Sequence, residues 1–138
     1  MTNFELDAHK LGEDVASHTA LRADLGEGRS VVVISGIALP EFTVNDDDQT
    51  NRQLCRLNLR ERAELVEQHT LTVGLAAISN DETAYVFATD ESALTRNDDG
   101  ELVLETHLAV LGENTGLHRF SYQVVVVNRV VAAEITGP

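Results

Sequence analysis

The segment FSYQVVVVNRVV, residues 120–131, decides the fold of this chain because it contains four consecutive valines. β-Branched side chains suit extended backbone, and a strand points successive side chains to opposite faces. A continuous apolar run is therefore typical of a strand that is covered on both sides. The sequence predicts a β-strand here whose second cover comes either from the domain itself or from another chain.

A partner strand is predicted immediately upstream. Residues 102–111 and 117–127 both alternate between apolar and polar side chains, and the loop 112–116 separates them. Pairing Leu111 with Leu117 gives one consistently apolar face and one polar face, as a correctly registered antiparallel pair should. We therefore expect a hairpin formed by these two segments.

That register divides the valine run between two faces. Val124 and Val126 lie on the predicted core face, whereas Val125 and Val127 lie on the face that is polar nearer the loop. A second cover is then needed only at the far end of the hairpin. We predict a partner interface there, formed by Val125, Val127 and Val131.

The N-terminal half predicts another hairpin. Residues 15–25 alternate, with Leu21 and Leu25 on the odd-numbered face that we expect to be buried. A helix is the alternative, but Gly26-Glu27-Gly28 suits a tight turn into the apolar segment 30–39.

The middle of the chain is less regular. Residues 70–78 and 84–89 look like a further strand pair, and Asn97-Asp98-Asp99-Gly100 is a turn signal. The segment 58–68 is rich in helix formers and favours a short helix, although residues 57–59 equally suit the end of a strand.

Repeated hairpins without strand–helix alternation predict an all-β, mainly antiparallel fold: a β-sandwich or jelly-roll-like barrel of about seven to nine strands. At most one short helix is expected, near 58–68. The length of 138 residues suits a single domain, 1–138.

The charge balance limits the partners. Asp and Glu number 23 against 10 Lys and Arg, giving a formal net charge of -13 that repels phosphate backbones and anionic lipid. We expect neither nucleic-acid binding nor membrane insertion. Lys10 is the only lysine, and this acidic, lysine-poor composition predicts a salt-adapted source, with a GC-rich genome as the alternative explanation.

The termini and hydropathy indicate a soluble chain. No run approaches the ~20 apolar residues of a membrane span, and the first ten residues lack the basic and apolar regions of a classical signal peptide.

The most acidic loop of the chain has part of a calcium-binding pattern. Asp46 and Asp48 have the spacing of the first ligands of an EF-hand loop. Asn51 stands where the turn glycine belongs, and Leu57 stands where the bidentate Glu belongs. An EF-hand is excluded, which leaves a solvated acidic turn or a weak cation site.

No residue pattern specifies a reaction. The five histidines have no metal-ligand spacing and are expected at the surface: His9, His18, His69, His107 and His118. Cys55 is the single cysteine, so neither a thiolate cluster nor an internal disulfide is available, and we expect an inert, half-buried thiol. No G-x-S-x-G motif occurs, and Gly26–Arg29 lacks the ending of a phosphate-binding loop. We assign no catalytic, cofactor-binding or metal-binding residue and expect no cofactor.

The sequence thus predicts a non-catalytic structural protein that packs as a homo-oligomer or onto a larger scaffold, such as a capsid decoration, neck or tail component of a virion, with a halophilic host. Two alternatives stay open: a β-sandwich binding module for a small ligand or protein, and an enzyme whose site is assembled only in three dimensions.

Overall fold

The computed structural model describes residues 2–40, 42–44, 50–63, 65–80, 86–111 and 115–129, and these residues form nine strands and no helix. The strands are β1 (Thr2–Asp7), β2 (Val15–Gly26), β3 (Arg29–Ala38), β4 (Phe42–Val44), β5 (Thr50–Arg62), β6 (Leu65–Asn80), β7 (Val86–Arg96), β8 (Glu101–Leu111) and β9 (Thr115–Arg129). The all-β prediction is confirmed.

The strands form two sheets in a sandwich-like arrangement. Sheet A has the order β1-β5-β8-β7, and sheet B contains β2, β3, β9, β4 and β6. Strand β9 is central in sheet B: β6 pairs with it along its whole length, and β3 and β4 pair with successive parts of its other edge. All strand pairs are antiparallel except β1 with β5, which is parallel.

The core lies between the sheets. On β9 the even-numbered side chains point inward, so Val124 and Val126 are fully buried, as predicted from the sequence. From sheet A, Leu57 and Leu104 are among the buried side chains of the same cluster. Each such aliphatic side chain contributes about 1.5–3 kcal/mol when it is removed from water.

The predicted hairpin in the N-terminal half is confirmed. Strands β2 and β3 pair antiparallel, and Gly26 lies opposite Arg29 across a two-residue turn. The two turn residues, Glu27 and Gly28, have φ values of 57° and 77°. Positive φ at both positions is the geometry of a type I′ turn, which matches the twist of the flanking strands.

The predicted orientation of β2 is wrong beyond its first residues. Val15 is fully buried, but Leu21 and Leu25 are 72% and 55% exposed. The register with β3 shifts between Val15 and Ser17, so a bulge at Ala16 inserts one residue and inverts the alternation. The odd-numbered side chains after the bulge therefore lie on the outer face.

The short helix favoured at 58–68 is also wrong, because β5 extends through Arg62 and β6 begins at Leu65. Leu57 and Leu59 are both fully buried, and this two-residue spacing fits the core face of a strand. Burial against sheet B outweighs the helix propensity of the segment, which amounts to only a few tenths of a kcal/mol per residue.

Two further predicted hairpins are corrected. Strand β8 belongs to sheet A and β9 to sheet B, so Leu111 does not pair with Leu117. Likewise β6 belongs to sheet B and β7 to sheet A. In both cases the chain crosses from one layer to the other, and the two apolar faces meet across the core instead of lying side by side.

The turn predicted at residues 97–100 is confirmed and joins β7 to β8. The Asn97 side-chain oxygen accepts hydrogen bonds from the backbone N–H groups of Asp99 and Glu101, both at 2.9 Å. Gly100 has a φ of 80°, which few side chains tolerate.

Candidate interaction surface

The outer face of sheet B carries an apolar patch. Two cross-strand rows build it: Leu21 lies beside Val33 and Val125, and Ala23 lies beside Val31 and Val127. We call these six residues the valine face. The four valines are half-buried, whereas Leu21 and Ala23 on the edge strand are exposed. The side chains are open to contact because no described strand packs over this side of the sheet.

Charged and polar groups border the valine face. At one end Glu67 accepts from Arg29 at 2.9 Å and contacts Arg129 at 3.4 Å, and the hydrogen bond from Arg29 lowers the pKa of Glu67. Along β6, Gln68 and Thr70 lie next to Val127 and Val125. An apolar centre with a polar border is the usual anatomy of a protein–protein interface.

The residues predicted as a partner interface are thus partly located. Val125 and Val127 lie on the outer face of sheet B, half-buried by their neighbours on β3 and β6. Val131 lies outside the described residues. The structure adds Leu21 and Ala23 of β2, which the sequence pattern assigned to the buried face.

Beyond the valine face, the same surface becomes rich in hydroxyl groups. A shallow depression of about 430 Å³ is lined by Ser17, Ser35, Thr72, Ser121 and Gln123, among others. The Thr19 and Ser35 hydroxyls are 3.1 Å apart and hydrogen-bonded. This half of the face is polar, and the residues that line the depression include no charged side chain.

The outer face of sheet A has the opposite chemistry. A groove of about 440 Å³ contains equal numbers of acidic and basic side chains: Glu5, Asp7, Asp14, Lys10, Arg56 and Arg60. Arg60 donates two hydrogen bonds to Asp7, at 2.9 and 2.6 Å, and Arg56 lies 2.8 Å from Glu105 and 3.4 Å from Glu5. Carboxylates of the chain itself thus pair with both arginines, which leaves these two cations less available to an anionic ligand.

The Asp7–Arg60 pair sits on an unusual backbone. Arg60 has a φ of 58°, and the Asn58 side-chain oxygen accepts from its backbone N–H at 2.9 Å. The left-handed conformation turns the guanidinium towards β1. Hydrogen bonding to Arg60 lowers the pKa of Asp7 from 3.8 to about 2, and the same contact raises the pKa of Arg60.

A second polar feature lies at the border between β2, β3 and β9, where His18 Nδ1 and the Tyr122 hydroxyl are 2.7 Å apart. The Tyr122 hydroxyl is also 3.4 Å from the Ser17 carbonyl oxygen. Gly36 lies directly between His18 and Tyr122 in the strand register. A Cβ at Gly36 would overlap the Tyr122 ring, so only glycine lets the ring cross the strand.

Burial controls the titration of both groups. It lowers the pKa of His18, while Glu61 and the Leu59 backbone oppose that shift, and it raises the pKa of Tyr122. The expectation of surface histidines therefore fails at His18. A glycine inside an apolar strand was the one sequence signal that pointed to this close packing.

The described residues contain no group of three His, Cys, Asp or Glu side chains placed to hold a metal ion. Asp46 and Asp48 lie outside the part of the chain that the structure describes. His9 and His69 are exposed, as expected. Cys55 is fully buried instead of half-buried, and burial raises the pKa of its thiol to about 12.

Comparison with known proteins gives no relative: no protein-family model, no curated protein and no solved structure matches this chain. Within the described residues no helix is long and apolar enough to cross a membrane.

Proposed function

We propose that this protein is a non-catalytic structural protein that assembles through the valine face, as a homo-oligomer or on a larger scaffold. The observation that carries the proposal is the contrast between the two outer faces of the sandwich. On sheet A, arginines and carboxylates satisfy one another, whereas sheet B presents Leu21 at 72% exposure beside half-buried valines.

The driving force is removal of apolar surface from water, which contributes roughly 25 cal/mol per Å². Opposing it is the repulsion between copies that each carry a net charge of -13. At about 1 M salt the Debye length falls to about 3 Å, so that repulsion is screened while apolar contact is retained. Association is therefore expected to strengthen with salt.

The assembly class that fits best is a virion component, such as a capsid decoration, neck or tail protein, from a salt-loving host. Its support is compositional: the chain is acidic, has a single lysine and carries no motif for a reaction. A net charge far from zero favours the solubility of a large assembly.

The test is the solution mass of the wild type and two variants by light scattering after size exclusion, at low salt and at about 1 M salt. Val125→Asp places a carboxylate within the valine face. Gln123→Asp is the matched control, because it places the same charge two residues away on the same face of β9, where the side chain is exposed.

We expect the wild type and Gln123→Asp to form a defined oligomer that tightens with salt, and Val125→Asp to bind at least about tenfold more weakly, a loss of about 1.4 kcal/mol or more. Equal melting temperatures of the two variants would show that folding is not the cause. A wild-type monomer at high concentration in molar salt, or unchanged assembly of Val125→Asp, contradicts the proposal.

A further inference from the structure

Strand β2 has an open edge. One side pairs with β3, and the other side has no pairing partner among the described residues from Ala16 to Gly26. Within the described part of the chain only the start of β2 is covered, where the turn before it places Gly12 N 2.7 Å from the Val15 carbonyl oxygen. A long strand edge presents a row of unpaired N–H and C=O groups to other chains.

The side chains along this edge are exposed and mixed. Residues 21–26 are all exposed, and they include two large apolar side chains, Leu21 and Leu25. Between them stand two residues of opposite charge, Arg22 and Asp24, on either side of Ala23. When two copies of this edge run antiparallel, the arginine of one copy can therefore lie opposite the aspartate of the other.

We propose that β2 pairs antiparallel with β2 of a second copy, about a two-fold axis that passes between the Ala23 residues of the two copies. In this register Arg22 of each copy lies opposite Asp24 of the other. Leu21 lies across from Leu25, where the register of β2 with β3 shifts by one residue. Opposite charges directly across an antiparallel pair stabilise it, and the symmetry makes this contact twice.

Neighbouring two-fold registers are less favourable. Centring the pair on Arg22 or on Asp24 places like charges against each other, which destabilises a strand pair. Centring it on Leu21 leaves Arg22 opposite Ala20. Between the register shifts at Ala16 and Leu25, a register centred on a residue pairs positions that are both odd or both even. The backbone groups that point away from β3 in the two copies then face each other.

The existing hydrogen bonds of Arg22 and Asp24 leave both side chains able to pair with a second copy. Arg22 donates to the Ser30 hydroxyl at 3.2 Å and to the Arg62 carbonyl oxygen at 3.4 Å, which uses two of its five N–H donors. Asp24 accepts one hydrogen bond, from the Gly26 backbone N–H at 2.8 Å. Both side chains are exposed and retain hydrogen-bonding capacity for a partner.

Edge pairing also enlarges the valine face. One valine face spans three strands and two rows of side chains, an area on the order of 200–300 Å², whereas a stable interface buries about 800 Å² per partner. A two-fold axis perpendicular to the sheet keeps both outer faces on the same side, so the two faces join across the edge. In this respect the inference rests on the proposed function, because edge pairing would be the first contact between two copies in that assembly.

The sharpest test is cross-linking at the axis. Ala23→Cys in each of two copies would meet at a Cα separation of about 4.5–5.5 Å, within the range that a disulfide spans. Leu21→Cys is the matched control, since its two copies would lie about 14 Å apart along the strands. Cys55 does not compete, because its side chain is fully buried.

We expect Ala23→Cys to form a disulfide-linked dimer on mild oxidation at least about tenfold faster than Leu21→Cys. Charge reversal gives an independent readout: R22D and D24R should each weaken dimerisation, and the double variant R22D/D24R should restore it. Loss of the hydrogen bond from Gly26 to Asp24 cannot produce that rescue, because the double variant lacks the bond as well.

The outcomes separate this inference from the proposed function. Equal cross-linking of the two cysteine variants, or no rescue in R22D/D24R, overturns the edge pairing even if Val125→Asp still abolishes higher assembly. Rapid cross-linking of Ala23→Cys together with no effect of Val125→Asp supports the edge pairing and contradicts assembly through the valine face.

Discussion

Replacing Gly36 by alanine tests the packing that holds β2, β3 and β9 together. A Cβ at this position would overlap the Ser17 carbonyl oxygen and the Tyr122 hydroxyl, and it would lie 2.6 Å from Tyr122 Cζ. The Ser17 oxygen belongs to paired backbone, and the Tyr122 side chain is only 2% exposed. Neither group can move aside without disturbing its neighbours.

The cost can be worked out from these contacts. Overpacking of this kind destabilises a core by about 1–3 kcal/mol, and displacing Tyr122 also sacrifices its hydrogen bond with His18, worth about 1 kcal/mol. Gly36 does not have a positive φ, so alanine recovers about 0.4–1 kcal/mol by restricting the unfolded chain. The net loss is about 1–3.5 kcal/mol, or roughly 3–12 °C in melting temperature for a chain of this length.

Urea and thermal unfolding of Gly36→Ala measure this loss. Gly74→Ala is the control, because it also changes a strand glycine of sheet B and its Cβ would meet only the Ser121 hydroxyl oxygen, at 3.0 Å. The exposed Ser121 side chain can rotate away, so we expect a change below about 0.5 kcal/mol. Equal stability of Gly36→Ala and the wild type would refute the packing argument.

Two further predictions concern titratable groups. Because the pKa of Asp7 is lowered from 3.8 to about 2, its contact with Arg60 stabilises the fold above pH ~4, and this stabilisation is lost as the pH falls from about 4 towards 2. The difference in melting temperature between the wild type and Asp7→Asn should therefore shrink over this pH window. A constant difference would contradict the assignment. Because burial raises the pKa of Cys55 to about 12, a thiol reagent at pH 8 should react with the native protein at least roughly a hundredfold more slowly than with the urea-unfolded chain. Rapid labelling of the native protein would show that the thiol is accessible.

The sequence allowed the orientation of β9 to be predicted, even though the predicted partner of that strand was wrong. Alternation alone assigns Val124 to the core and Val125 to the outer face, and this holds for any partner. The β2–β3 hairpin and the turn at residues 97–100 were also predictable, since short turns with Gly and Asn depend on local backbone geometry.

The pairing of β8 with β9 could not be predicted from the same pattern. Two amphipathic strands bury their apolar faces equally well side by side in one sheet or face to face across a sandwich. Leu104 therefore lies in the same core as Val124 in both arrangements. The two arrangements differ in which strands are hydrogen-bonded to each other, and the pattern of apolar and polar side chains does not specify this. The bulge at Ala16 was hidden for a related reason, because an alanine gives no sign of an inserted residue.

The valine face results from two features that the sequence pattern did not reveal. The bulge at Ala16 turns Leu21 and Ala23 outward, and the central position of β9 in sheet B places Val125 and Val127 in the same rows, through β3. An unbulged β2 would have buried Leu21 and left polar side chains on the outer face. Since bulges often redirect side chains at functional edges, deleting Ala16 should turn Leu21 inward and remove the apolar extension onto β2. The exposed leucine is thus a consequence of one inserted residue, and the proposed extension of the interaction surface onto β2 depends on that residue.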